Sequence, residues 1–93
     1  MNYQDITGTN YTYGLLRMEC GQKYVAATGG TTITFQEAFS KILCSFFQPR
    51  VDDNITVALV SESTTSITIK LYDADSGTEV SGVGVNWIAI GVD

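Results

Sequence analysis

Any chemistry in this chain has to be done without histidine, because none of its 93 residues is one. That removes the usual general base, the Ser-His-Asp and Cys-His arrangements and the commonest metal ligand. Cys20 and Cys44 are the two cysteines, and without histidine they cannot complete a zinc site. Carboxylates remain. Asp52 with Asp53, and Asp73 with Asp75 and Glu79, could supply an acid/base pair of the glycosidase kind. All sit in turn-like segments, where an aspartate caps its own backbone. Asp73-Ala74-Asp75-Ser76-Gly77-Thr78-Glu79 has the flavour of a calcium loop, but such a loop needs glycine sixth and glutamate twelfth. Here glycine is fifth and glutamate seventh. Gly29-Gly30 lacks the Lys-Ser or Lys-Thr of a phosphate loop. No metal and no cofactor is expected, and no enzyme.

Binding chemistry is better represented. Trp87, the single tryptophan, reads as a core or interface anchor, with a sugar-stacking platform as the functional alternative. Tyr72 stands opposite Leu71 on its strand and is the better surface candidate, with Lys70 and Asp73 as hydrogen-bonding neighbours. Arg50, Asp52, Asp53 and Asn54 form a second polar group able to recognise hydroxyls. For each of these the plainer reading is solvated surface.

The elements that must position them are strands. Residues 1–13 are polar with scattered tyrosines and read as a lead-in; residues 14–93 read as a single domain. From Leu16 the chain alternates, with Leu16, Met18 and Cys20 on one face and Arg17 and Glu19 on the other. Lys23 to Ala27 reads as a separate short strand stopped by Gly29-Gly30. Ile33 and Phe35 share a face. Residues 36–47 fit a helix by spacing, or a helical turn over 36–41 followed by a strand over 43–47; the second suits an all-β set. Ile55, Val57 and Leu59, then Ile67, Ile69 and Leu71, make two alternating runs joined by the polar segment 61–66, an antiparallel hairpin. Residues 73–84 form a longer connection with room for a minor strand pair. The last strand carries Val85, Trp87 and Ala89 on one face, and Asn86, Ile88 and Ile90 on the other. Apolar residues on both faces require cover on both: the core on one, a loop or a neighbouring subunit on the other. The fold class is all-β, a six- or seven-stranded antiparallel sandwich.

Composition agrees. The net charge is −5, from five Lys and Arg against ten Asp and Glu, the wrong sign for phosphate neutralisation or for an anionic membrane surface. No apolar run reaches the roughly 18–20 residues of a membrane span, and the N-terminus lacks signal-peptide character, so synthesis in a cytoplasm is expected. The two cysteines read as buried free thiols, with a bridge between them as the alternative.

Three stretches in series carry a resemblance. Gly14-Leu15-Leu16-Arg17-Met18-Glu19-Cys20-Gly21, Phe35-Gln36-Glu37-Ala38-Phe39 and Asn86-Trp87-Ile88-Ala89-Ile90-Gly91 resemble, in order and spacing, segments of the C-terminal tip domain of bacteriophage tail fibres. That family is related in fold to the H-type lectins, trimeric six-stranded sandwiches. They share the pattern of a Phe, a later Pro-x-Val and a terminal Trp-x-Ala-x-Gly, matched here by Phe39, Pro49-Arg50-Val51 and Trp87 to Gly91. Cys20 stands where the fibres have Trp, and Gln36 where they have Pro. The resemblance implies a homotrimeric receptor-binding domain in a virion, recognising a host cell-surface glycan or protein and contacting other fibre or baseplate proteins. Tyr72 is the nearest counterpart of the lectins' binding aromatic. Trp87, Ile88, Ile90 and Cys20 are the expected structural and interface residues. The alternative is a purely structural trimerisation or decoration module; a carboxylate-based glycan hydrolase is a third reading.

Overall fold

A computed structural model describes residues 15–93; the lead-in over 1–13 lies outside the described residues. The described chain holds seven strands in order: β1 (Leu16–Val25), β2 (Thr31–Thr34), β3 (Lys41–Pro49), β4 (Ile55–Glu62), β5 (Ser66–Asp73), β6 (Glu79–Val80) and β7 (Val83–Val92). They form two antiparallel sheets. One has the order β1-β7-β3; the other has β5 paired with β4 along one side and with β2 and β6 along the other. The all-β sandwich expected from the alternating runs is what forms.

The core is built from alternate residues of the central strands. Ile67, Ile69 and Leu71 of β5 are wholly buried, as are Val85 and Ala89 of β7, and Trp87 joins them. Val57 pairs across from Leu71, and Ile55 and Val57 pack against the cluster from β4. The hairpin turn between β4 and β5 is closed by Ser63, whose Oγ accepts from the N–H groups of Thr65 and Ser66 (both 3.2 Å), the usual role of a turn serine.

Several local expectations are corrected. Residues 23–27 do not begin a second strand, because β1 runs unbroken through Gly21 to Val25 and pairs with β7 throughout. No helical turn forms at 36–41. Phe35 and Phe39 instead plug the open end of the sandwich edge to face, their ring centroids 5.1 Å apart. The strand expected over 43–47 is the longer β3, with a bulge between Ile42 and Cys44. The minor strand allowed within 73–84 is β6.

The largest difference concerns β1. Its alternation is present, but the inward row is Arg17, Glu19, Gly21 and Val25, and the apolar row Leu16, Met18, Cys20 faces out. The cause lies in the register with β7. Gly21 is opposite Trp87, and a Cβ on Gly21 would stand 3.1 Å from the indole nitrogen, so the indole needs a glycine there. Val25 on the same row is buried. Ala89 and Gly91 are opposite Glu19 and Arg17 and leave room for Phe39, over whose ring the Arg17 guanidinium sits at 3.9 Å. Arg17 also donates to the carbonyls of Glu37 (2.7 Å) and Ala38 (3.0 Å) and pairs with Glu19 and Asp93. Glu19 in turn accepts from the Gln36 N–H (2.9 Å). The inward charges therefore hold the plug rather than lie unpaired.

The plug yields a stability test. A Cβ on Gly91 would collide with the backbone carbonyl of Lys41 and with the Phe39 ring, whereas at Gly21 it meets a side chain. Gly91→Ala should cost about 2–4 kcal/mol in urea unfolding and Gly21→Ala less, since overpacking against backbone relaxes least. Equal midpoints for the two variants would contradict this packing.

Candidate functional site

The sequence-derived binding residues fall into two places. Tyr72 and Lys70 lie on the outer face of the four-stranded sheet, opposite Thr56 and Ala58 of β4, with Glu79 of β6 beside Tyr72. Thr32 and Thr68, joined hydroxyl to hydroxyl at 3.0 Å, continue that face. It is mainly polar, with Ala58 among these residues and Leu59 and Val60 exposed where β4 bulges at the sheet edge. Asp52, Asp73 and Asn54 gather at the adjoining end of the sandwich, where the connections 26–30, 50–54 and 74–82 come together. There Asn54 Nδ2 donates to Asp75 Oδ1 (3.2 Å), the Ala74 N–H to the Asn54 carbonyl (2.9 Å) and the Gly29 N–H to Glu79 Oε2 (2.6 Å). Leu15 and Asp93 meet at the opposite end, where the Asp93 N–H donates to the Leu15 carbonyl. This loop end is thus the one remote from both.

Arg50 does not join this group. Its backbone N–H bonds to Gly84 O (2.7 Å) and its guanidinium donates to Gln22 Oε1 (3.0 Å). That places it on the outer face of the three-stranded sheet, across the sandwich from Tyr72.

The carboxylates serve turns. Asp73 Oδ1 accepts from the Asp75 N–H (2.9 Å) and Asp53 Oδ1 from the Asn54 N–H (2.8 Å). Among the described residues no three His, Cys, Asp or Glu side chains converge as a metal site would need.

What sequence reasoning missed is the outer face of the three-stranded sheet. Register sets its side chains in rows across β1, β7 and β3: Leu16 with Val92 and Lys41, Met18 with Ile90 and Cys44, Cys20 with Ile88 and Phe46, then Gln22 with Asn86 and Gln48. Tyr24, Gly84 and Arg50 finish it at the loop end. Leu16, Met18 and Phe46 are 56, 63 and 60% exposed, and Ile88 37%. Ile88, Ile90 and Cys20, the expected interface residues, lie in this patch; Trp87 does not, being turned into the core, its ring 6.0 Å from that of Phe35. A shallow cavity of about 130 Å³ opens between Phe46, Gln48, Asn86 and Ile88. The signal in the sequence is the second apolar face of β7, which requires cover; β1 adds Leu16, Met18 and Cys20 to it only through its register with β7. The cysteines are free, as expected, but they are not buried: Cys20 is exposed and Cys44 half-buried. They stand on the two strands flanking β7, roughly 10 Å apart by strand spacing, beyond the reach of a disulfide.

The comparisons fit this architecture. The family model of gp53-like tail fiber proteins, C-terminal domain, matches residues 11–92. The chain belongs to that family, and it is a bacteriophage tail-fibre domain, a component of the virion. Neither the curated proteins nor the solved structures contain a match.

Removing the turn cap tests how the loop end is held. Asp73→Ala should lower stability by about 1 kcal/mol, the usual worth of a side-chain cap on a backbone N–H. Thermal unfolding of the variant reads it, and an unchanged midpoint would show that the carboxylate is not structural.

Proposed function

We propose that this tail-fibre domain assembles as a homotrimer and recognises a host cell-surface carbohydrate or protein, presenting the loop end and the Tyr72 face outward. The observation that carries the reading is the contrast between the two outer faces. The four-stranded sheet shows water Thr, Lys and Tyr, with Leu59 and Val60 exposed at the β4 edge, whereas the three-stranded sheet shows the contiguous rows of Leu16, Met18, Cys20, Cys44, Phe46, Ile88 and Ile90. That patch exposes on the order of 500 Å² of apolar side chain per copy, at the top of what a monomer leaves in water and approaching the roughly 800 Å² per partner of a stable interface. Copies of a fibre chain are the partner always at hand. Three copies then supply avidity to shallow sites of modest individual affinity. The family supports a fibre role, with other fibre or baseplate proteins as further neighbours.

Recognition rests on Tyr72, a rigid aromatic flanked by Lys70, Thr56 and Glu79, with Asp52, Asn54 and Asp73 at the adjacent rim. Flat aromatic area beside hydrogen-bonding groups suits carbohydrate.

Sedimentation equilibrium at micromolar concentration should give the mass of three chains, and Ile88→Asp a folded monomer by circular dichroism. A strict wild-type monomer would sink the assembly. In adsorption to host cells, Tyr72→Ala should lose binding at least about tenfold while remaining trimeric, roughly the 1.4 kcal/mol of one modest aromatic contact. A trimer that binds neither cells nor a broad glycan array would instead be a structural trimerisation or decoration module.

A further inference from the structure

The apolar face is not uniform along its strands. Its first three rows, from Leu16 to Cys20 on β1, hold aliphatic, thiol and Phe side chains, with Lys41 at the outset. The fourth row is three amides side by side: Gln22 on β1, Asn86 on β7 and Gln48 on β3. Asn86 Nδ2 donates to Gln48 Oε1 (3.1 Å), and Gln22 Oε1 accepts from Arg50 (3.0 Å). Gln22 Nε2, Gln48 Nε2 and Asn86 Oδ1 have no protein partner among the described residues, so the row offers both donors and an acceptor outward. Between Lys41 and Arg50 the face carries no charge; the net charge of −5 is borne elsewhere and does not oppose contact between copies here.

We propose that the row Gln22–Asn86–Gln48 is the register lock of the interface between copies, each copy's amides meeting those of the next at the same height. This rests on the trimer reading above. An apolar patch alone fixes contact but not alignment, because Leu, Met and Ile surfaces slide over one another at little cost. An amide is different, since it both donates and accepts and so complements another amide. If one copy slips by a row, its amides face Cys20, Ile88 or Phe46 of the neighbour and lose water without gaining a partner, which is unfavourable. A polar residue set in an apolar seam fixes register in this way, at some expense of stability. The matched arrangement is also the parallel one. Turning one copy end for end keeps apolar on apolar but carries the amide row past the far edge of the patch, where no amide meets it. The occupant is therefore a second copy running in the same direction, and the row decides its height.

The test uses the full chain with Cys20→Ala and Cys44→Ala, adding a single probe cysteine as Gly84→Cys or as Val92→Cys, neither of them a lock amide. Both positions lie on β7, eight residues apart and so about 26 Å apart along the strand. Under mild oxidation each variant should crosslink to itself, and a mixture of the two should give no crosslink between unlike positions. Crosslinking only between unlike positions would show antiparallel copies and overturn the proposal. The lock itself is read in Gln48→Leu/Asn86→Leu combined with the Val92→Cys probe. The variant should still associate, but with several masses in sedimentation and with self-crosslinking reduced at least threefold. A single mass and undiminished crosslinking would overturn it as well. If the parent chain sediments as a monomer, the trimer reading fails first, and that outcome is distinct from the other two.

Discussion

In an extended chain neighbouring side chains must leave opposite faces, and in β7 both sets are apolar. Trp87 is the residue that decides which set goes in. Its indole is the largest group in the core, lies against Gly21 and contacts Phe35, so Val85, Ala89 and Gly91 follow it inward by period two. Ile88 and Ile90 are then committed to the outside. The pairing passes the same choice to the flanking strands: Gly21 beneath the indole drags Arg17 and Glu19 inward and sends Leu16, Met18 and Cys20 out, while Phe46 is sent out on β3. One aromatic group and its glycine thus build the core and the apolar exterior together.

The inward charges show how the domain tolerates that arrangement. A guanidinium facing a core is costly unless it is fully bonded. Arg17 reaches two backbone carbonyls, two carboxylates and the face of Phe39. The segment it holds has no regular structure of its own, yet it closes the sandwich at the end where Leu15 and Asp93 meet. The end where these two residues meet is accordingly the bonded and plugged one. The opposite end consists of connections in which Asp53 and Asp73 cap nearby backbone N–H groups and Asp75 accepts from the Asn54 side chain.

Much of this was legible in the residues, and the reasons for the exceptions are physical. Ile67, Ile69 and Leu71 against Thr68, Lys70 and Tyr72 admit one orientation, because one face is wholly apolar and the other polar. The two-faced strand Val85–Gly91 could be read as needing cover twice. β1 could not be oriented in isolation: three apolar residues against Arg17 and Glu19 argue for the reverse of what occurs, and only pairing with Trp87 settles the matter. Residues 36–47 carry apolar side chains at helical spacing, but 36–38 are held by tertiary bonds from Arg17 and Glu19, which no local pattern encodes. Arg50 was grouped with Asp52 and Asn54 because they are close in sequence. As a residue immediately beyond β3 it keeps that strand's alternation and falls on the other side of the sandwich.

The same alternation bears on how binding and assembly divide the surface. A domain of this size has two broad faces and two ends, and the β7 register gives one broad face to apolar contact. The polar face of the four-stranded sheet and the loop end are left for anything outside the fibre. In the proposed trimer, recognition there would need only modest affinity from each copy. Because Tyr72 and Lys70 point away from β7, substitutions among them leave Trp87 and the rows it turns outward untouched. On the proposed reading the ligand-facing and assembly-facing residues lie on different sheets, and the two-residue period keeps each set on the outer face of its own sheet.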